Sequence, residues 1–116
     1  MTEEKDIGGR PRGLPSRCIT IDERDDNPGY LVYIGIDIFE RLGSPEYVMI
    51  EARERNDNLV TAWKIRPAQE HEEGRYKMIV VHNNRPKFPI GKAKHDDLNL
   101  DVGKYPALIW RGEIIF

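Results

Sequence analysis

The chain has 116 residues, 18 Lys+Arg against 20 Asp+Glu for a formal net charge of -2, and 39% apolar residues. This is the length of one domain with one core, and the near balance of charge excludes a globally basic, histone-like protein. A single cysteine excludes an internal disulfide framework or a cysteine-rich zinc site. No apolar run approaches the ~20 residues that span a bilayer, and no leader is read at the start, so a soluble, cytoplasmic chain is expected.

Residues 1–16 hold Gly8, Gly9, Gly13, Pro11 and Pro15 with few core formers, which predicts a flexible basic arm. β-Branched residues predict a first strand over 17–21, ended by a polar loop, 22–29, with Asn27-Pro28-Gly29 as its turn. The apolar run 30–36 reads as a second strand. Asp37 with Glu40 has capping-box spacing and Gly43 follows Leu42, so a short helix is expected at about 37–42 with Ile38 and Leu42 inward. Ser44-Pro45 breaks it. Alternation over 46–54 puts Val48, Ile50 and Ala52 on one face, and a turn at 55–58 leads to a strand over 59–65, making a hairpin.

Residues 67–74 read as a linker, after which the order recurs. A strand is expected over 76–81, a turn at 83–84, a polar helical stretch over 92–100, and a final hairpin of 105–110 with 113–116 around Arg111-Gly112. Setting Ile34-Gly35 over Ile90-Gly91 puts Leu42 over Leu98, and a two-residue insertion then puts Tyr47 over Tyr105. The expected architecture is therefore mostly β: a small barrel, 17–116, of two strand–short helix–hairpin units, 17–66 and 75–116.

The segment Tyr30-Leu-Val-Tyr-Ile-Gly-Ile-Asp-Ile-Phe-Glu-Arg-Leu-Gly-Ser-Pro-Glu-Tyr-Val-Met-Ile-Glu51 resembles the AbrB/SpoVT swapped-hairpin (cradle-loop) barrel family over about 30–65, with a weaker echo over 85–116. Two units in one chain are similar in layout to the MraZ proteins. The resemblance implies a DNA-binding transcriptional regulator, nucleoid factor or antitoxin, complete as a monomeric pseudo-dimer or else a homodimer. Three departures stand against it. The family's Ile-Pro is Ile34-Gly35; Leu31, Phe39 and Glu40 occupy positions where its DNA-reaching arginines often sit; only Arg41 remains in the helix.

Candidate DNA contacts follow. Gly8-Gly-Arg-Pro-Arg-Gly13 is similar to an AT-hook core, whose narrow, extended Arg10 and Arg12 suit the electronegative A·T minor groove; the alternative is a solvated tail. Arg17, Arg41 and the cluster Arg85, Lys87, Lys92 and Lys94 are candidates for phosphate contact, against the bland reading of a solvated surface balanced by Asp96 and Asp97. His71 among its glutamates and His95 beside Asp96 lack the spacing of a zinc site and read as charged surface. Cys18 reads as a core residue, and Trp63, Trp110, Tyr105 and Phe116 as core or barrel rim with a partner patch as the alternative. No nucleophile or phosphate-loop motif is present, so neither an enzyme nor a cofactor is expected, an enzyme on a double-psi-like barrel being the minor reading. The competing function is a protein-interaction module, an antitoxin-like partner or small virus-encoded inhibitor, that keeps the barrel without its DNA surface.

Overall fold

A computed structural model describes residues 15–25, 28–54, 60–82 and 84–116. Arg10, Arg12 and the turn expected at 55–58 lie outside the described residues. A 3-10 turn, Pro15–Arg17, leads into β1 (Cys18–Glu23), which pairs antiparallel with β2 (Tyr30–Ile34). Helix α1 (Ile36–Arg41) follows, then the hairpin of β3 (Tyr47–Glu54) and β4 (Val60–Pro67). The second half contributes β5 (Tyr76–Lys77), β6 (Lys87–Ile90), α2 (Lys92–Leu98), β7 (Gly103–Pro106), β8 (Leu108–Trp110) and β9 (Glu113–Ile115). Two antiparallel sheets result, in the orders β6-β2-β1-β7 and β5-β3-β4-β9-β8.

Strand alternation fills the core. Ile19 and Ile21 of β1, Val32 and Ile34 of β2, Ile50 of β3 and Ile65 of β4 point inward, with Phe88 and Ile114 from the second half. Ile38 and Leu42 are buried as expected, and Phe39 joins them. Both helices are too short to persist alone and are held by these contacts. The capping box does not form: Gly35 is the N-cap, without a side-chain cap, and Asp37 lies inside the first turn. Its carboxylate is drawn instead to Arg17 and Arg41. Gly43 ends α1 at φ 101, a left-handed value that glycine adopts without a Cβ clash.

The two halves repeat their pairings. At the centre of β2 and β6, Val32 lies opposite Phe88, and the spacing between those positions equals that between Ile34 and Ile90. Asp22 opposes Leu31 in the first half, as Ile79 bridges Lys87 in the second. Ile19 opposes Tyr105, as Tyr76 opposes Val48. Val48, rather than Tyr47, therefore stands where Tyr105 does, which requires one inserted residue in place of the two expected.

Other boundaries differ from the sequence expectation. The strand expected over 76–81 is two residues long with a bridge at Ile79; Val80 and Val81 are exposed, with no core face to hold them in a ladder. The final hairpin is shorter too. Tyr105 and Pro106 pair with β1, and only 108–110 pair with β9. Its turn is Arg111-Gly112 as expected, with φ 53 and 77, the two positive values that a tight hairpin requires. Arg66 and Glu72 tie the segment after β4 back onto that strand.

Candidate nucleic-acid interface

The inward alternation of the first sheet leaves Thr20, Asp22, Leu31, Tyr33, Lys87, Pro89 and Lys104 on its outer face. Register aligns four of them. Lys104 opposes Thr20, Thr20 opposes Tyr33, and Tyr33 opposes Lys87, so one row crosses all four strands. With strands about 4.8 Å apart, the two lysine positions are about 14 Å apart, close to the ~12 Å width of a DNA major groove.

Tyr33 is the centre of this row. The Arg85 guanidinium carbon lies 4.2 Å from its ring centre, and Lys87 Nζ 5.6 Å. Each cation–π contact at an exposed site is worth about 0.5–1 kcal/mol, enough to orient a long side chain that would otherwise sample many rotamers. Arg85, Lys87 and Lys104 have no carboxylate partner among the described residues. Tyr33 also borders an open groove with Leu31, Asp22, Glu23, Arg24 and Asp25, three carboxylates against one arginine.

The remaining sequence candidates are not brought into this row. Arg17 Nε donates to Asp37 Oδ2 at 2.7 Å, and Arg41 Nε lies 3.4 Å from Oδ1. The Arg17 hydrogen bond, then the charge of Arg41, holds the Asp37 carboxyl below the usual carboxylate range. Two arginines sharing one carboxylate carry a net charge of one, so their pull on phosphate is reduced. Lys92 is paired one turn away with Asp96 at 2.8 Å. Lys94 is half-buried and has no carboxylate partner among the described residues.

His95 corrects the surface reading. It is 6% exposed, its ring stacks on Tyr30 at 3.5 Å between centres, and Nδ1 lies 3.2 Å from Asp96 Oδ1. Its Nε2 is buried without a hydrogen-bond partner. Among the described residues no group of three His, Cys, Asp or Glu side chains is arranged to hold a metal. Cys18 is buried, and that burial pushes its thiol up.

Of the aromatics, Trp63, Tyr105 and Phe116 form one cluster of edge and tilted contacts, and Trp63 Nε1 donates to the Leu98 carbonyl at 2.7 Å. Trp110 stays exposed beside Arg53 and Arg111. Sequence reasoning missed Tyr33 and Lys104. The available signal was period-two alternation: Tyr33 falls between Val32 and Ile34, so a strand that buries both must turn Tyr33 outward.

No protein-family model, curated protein or solved structure matches the chain. No helix among the described residues is long and apolar enough to cross a membrane.

Proposed function

We propose that this chain is a non-enzymatic, double-stranded-DNA-binding transcriptional regulator or nucleoid-associated protein of AbrB-like type, built as one small barrel from two strand–short helix–hairpin units. The single observation that carries the function is the outer row Lys104–Thr20–Tyr33–Lys87 with Arg85 stacked on Tyr33. Cations without carboxylate partners among the described residues, spaced across a groove width on one sheet, suit phosphate contact. The barrel is supported by one run of chain, 103–110, whose first part pairs with β1 and whose last part pairs with β9. The Ile79–Lys87 bridge joins the two sheets on the other side. Both units come from one polypeptide, so the monomeric pseudo-dimer is preferred over a homodimer. In this mechanism Arg85, Lys87 and Lys104 hold the backbone, and Arg10 and Arg12 reach an A·T minor groove.

The test is fluorescence anisotropy of labelled A·T-rich and G·C-rich duplexes over a salt series. Micromolar binding that weakens steeply with salt is expected, with an A·T preference that Arg10→Ala/Arg12→Ala reduces. Absence of binding at about 50 mM salt overturns the proposal.

A second reading, the protein-interaction module, is favoured by a specific observation. Phe39, at a position of family arginines, is buried, and Arg17 and Arg41 share the Asp37 carboxylate.

A further inference from the structure

β7 and β8 are one run of chain interrupted at Ala107, and their outward side chains are Lys104, Pro106, Leu108 and Trp110. Tyr105, Ala107 and Ile109, between them, pack on the core. Leu108 is 55% exposed and Trp110 47%, so two large apolar groups stand side by side on the solvent face. Solvated indole and isobutyl surface is favourable to cover, at roughly 25 cal/mol per Å² of apolar area removed from water.

The charge around this strip is equally unmatched. The Arg111 guanidinium carbon lies 4.5 Å from the Trp110 ring centre and that of Arg53 5.7 Å. Neither arginine has a carboxylate partner among the described residues, whereas Arg17, Arg41 and Arg66 each have one. Two guanidiniums drawn to one ring repel each other, and an anion placed between them relieves that repulsion. Trp and Arg are also the residue types that most often anchor protein interfaces.

We infer that this strip docks a protein partner presenting an extended acidic segment, with apolar side chains on Leu108 and Trp110 and carboxylates on Arg53 and Arg111. Charge complementarity selects the acidic chemistry, and the same-face spacing of Leu108 and Trp110 selects an extended chain, whose side chains repeat with the same period. A nucleic-acid backbone satisfies the arginines but leaves Pro106 and Leu108 uncovered. This docking is independent of the DNA proposal, because its anchors are Trp110, Arg53 and Arg111 rather than Tyr33, Arg85 and Lys87.

The experiment uses the full chain and a fluorescein-labelled peptide alternating Glu and Leu, with a Lys–Leu peptide as control. Saturable anisotropy with the acidic peptide is expected, at least tenfold tighter than with the basic one. Trp110→Ala, and Arg53→Gln combined with Arg111→Asn, should each weaken it at least tenfold. Asn is chosen because position 111 has φ 53, which Asn tolerates, so the unfolding midpoint should hold. Equal affinity for both peptides, unchanged binding in the variants, or no saturation by about 1 mM overturns the inference. A tenfold loss of duplex affinity in the arginine variant, with peptide binding intact, assigns the strip to nucleic acid instead. Self-association in sedimentation that the same variant abolishes assigns it to a second copy; either result refutes the acidic-peptide partner.

Discussion

Replacing Arg85 and Lys87 with Gln tests the interface at its centre, because both converge on Tyr33 and neither pairs with a carboxylate among the described residues. Each phosphate neutralised contributes about -0.9 to the slope of log affinity against log salt. Arg85, Lys87 and Lys104 together give a slope of about -2.7, or roughly a 40-fold loss of affinity between about 50 and 200 mM salt. The double variant keeps Lys104 alone of this row, whose contribution falls to a slope of about -0.9 and only a three- to fourfold loss over the same range. Asp37→Asn acts in the opposite sense. It removes the one carboxylate that Arg17 and Arg41 share, adding one net positive charge, and steepens the slope by about 0.9, toward about -3.6. Anisotropy titrations at four salt concentrations measure all three slopes. A double variant that keeps the wild-type slope refutes phosphate contact by this row. An Asp37→Asn slope equal to wild type refutes the claim that Asp37 withholds its two arginines.

Phe88→Ala removes a fully buried ring at the pairing centre of the two halves; a loss of about 3–5 kcal/mol is expected, lowering the thermal midpoint by more than about 10 °C in calorimetry. His95→Phe keeps a ring on Tyr30 while removing the orphaned Nε2, so denaturant titration should give a gain of about 1 kcal/mol; a loss would mean that the Nδ1–Asp96 contact outweighs the unpaired nitrogen. Cys18 is buried and its thiol is pushed up by that burial, so labelling by an aromatic disulfide should be slow in the native state and should follow global unfolding across a denaturant series. Glu72 is held below the ordinary glutamate range by its hydrogen bonds from Arg66 and then from the Gln69 amide. A carboxyl with a lowered folded pKa stabilises fully above its unfolded pKa, and this contribution disappears as pH falls through the folded value. Stability should therefore drop on the acid side, and Arg66→Gln should flatten that branch in urea titrations taken from neutral pH downward.

Much of the strand order was legible because the core is written in β-branched alternation. Ile19 and Ile21, Val48 and Ile50, and the Arg111-Gly112 turn each carry a local signal that fixes strand, face and connection. What stayed illegible depends on partners distant in sequence. The Asp37 carboxylate could cap its own helix or pair with Arg17, and only the fold brings the 15–17 turn beside α1. Val80 and Val81 have strand chemistry but no facing core, so β-propensity without burial fails there. The candidate face was half legible. Arg85 and Lys87 were visible as a cluster, whereas Tyr33 and Lys104 become its members through cross-strand register alone.

The short helices explain why the proposed DNA contact is placed on the sheet. The spacing that sets Ile34 over Ile90 and Leu42 over Leu98 also sets Phe39 over His95. Both are buried, so the same helical position faces inward in each half whether it is filled by a phenyl or an imidazole ring. A histidine at that position reads as surface in sequence because its neighbours are Lys94, Asp96 and Asp97, yet helical geometry decides by position rather than by neighbour. An inward position cannot present an arginine to phosphate without leaving a charge in the core, which is costly unless it is paired. Positions 39 and 95 thus hold buried rings, and Arg17 and Arg41 are drawn to Asp37. The outward positions of β2, β6 and β7 impose no such cost: Tyr33 orients Arg85 and Lys87 in solvent, and Lys104 stands on the same row. Cation placement on this protein follows from which backbone positions the core leaves free.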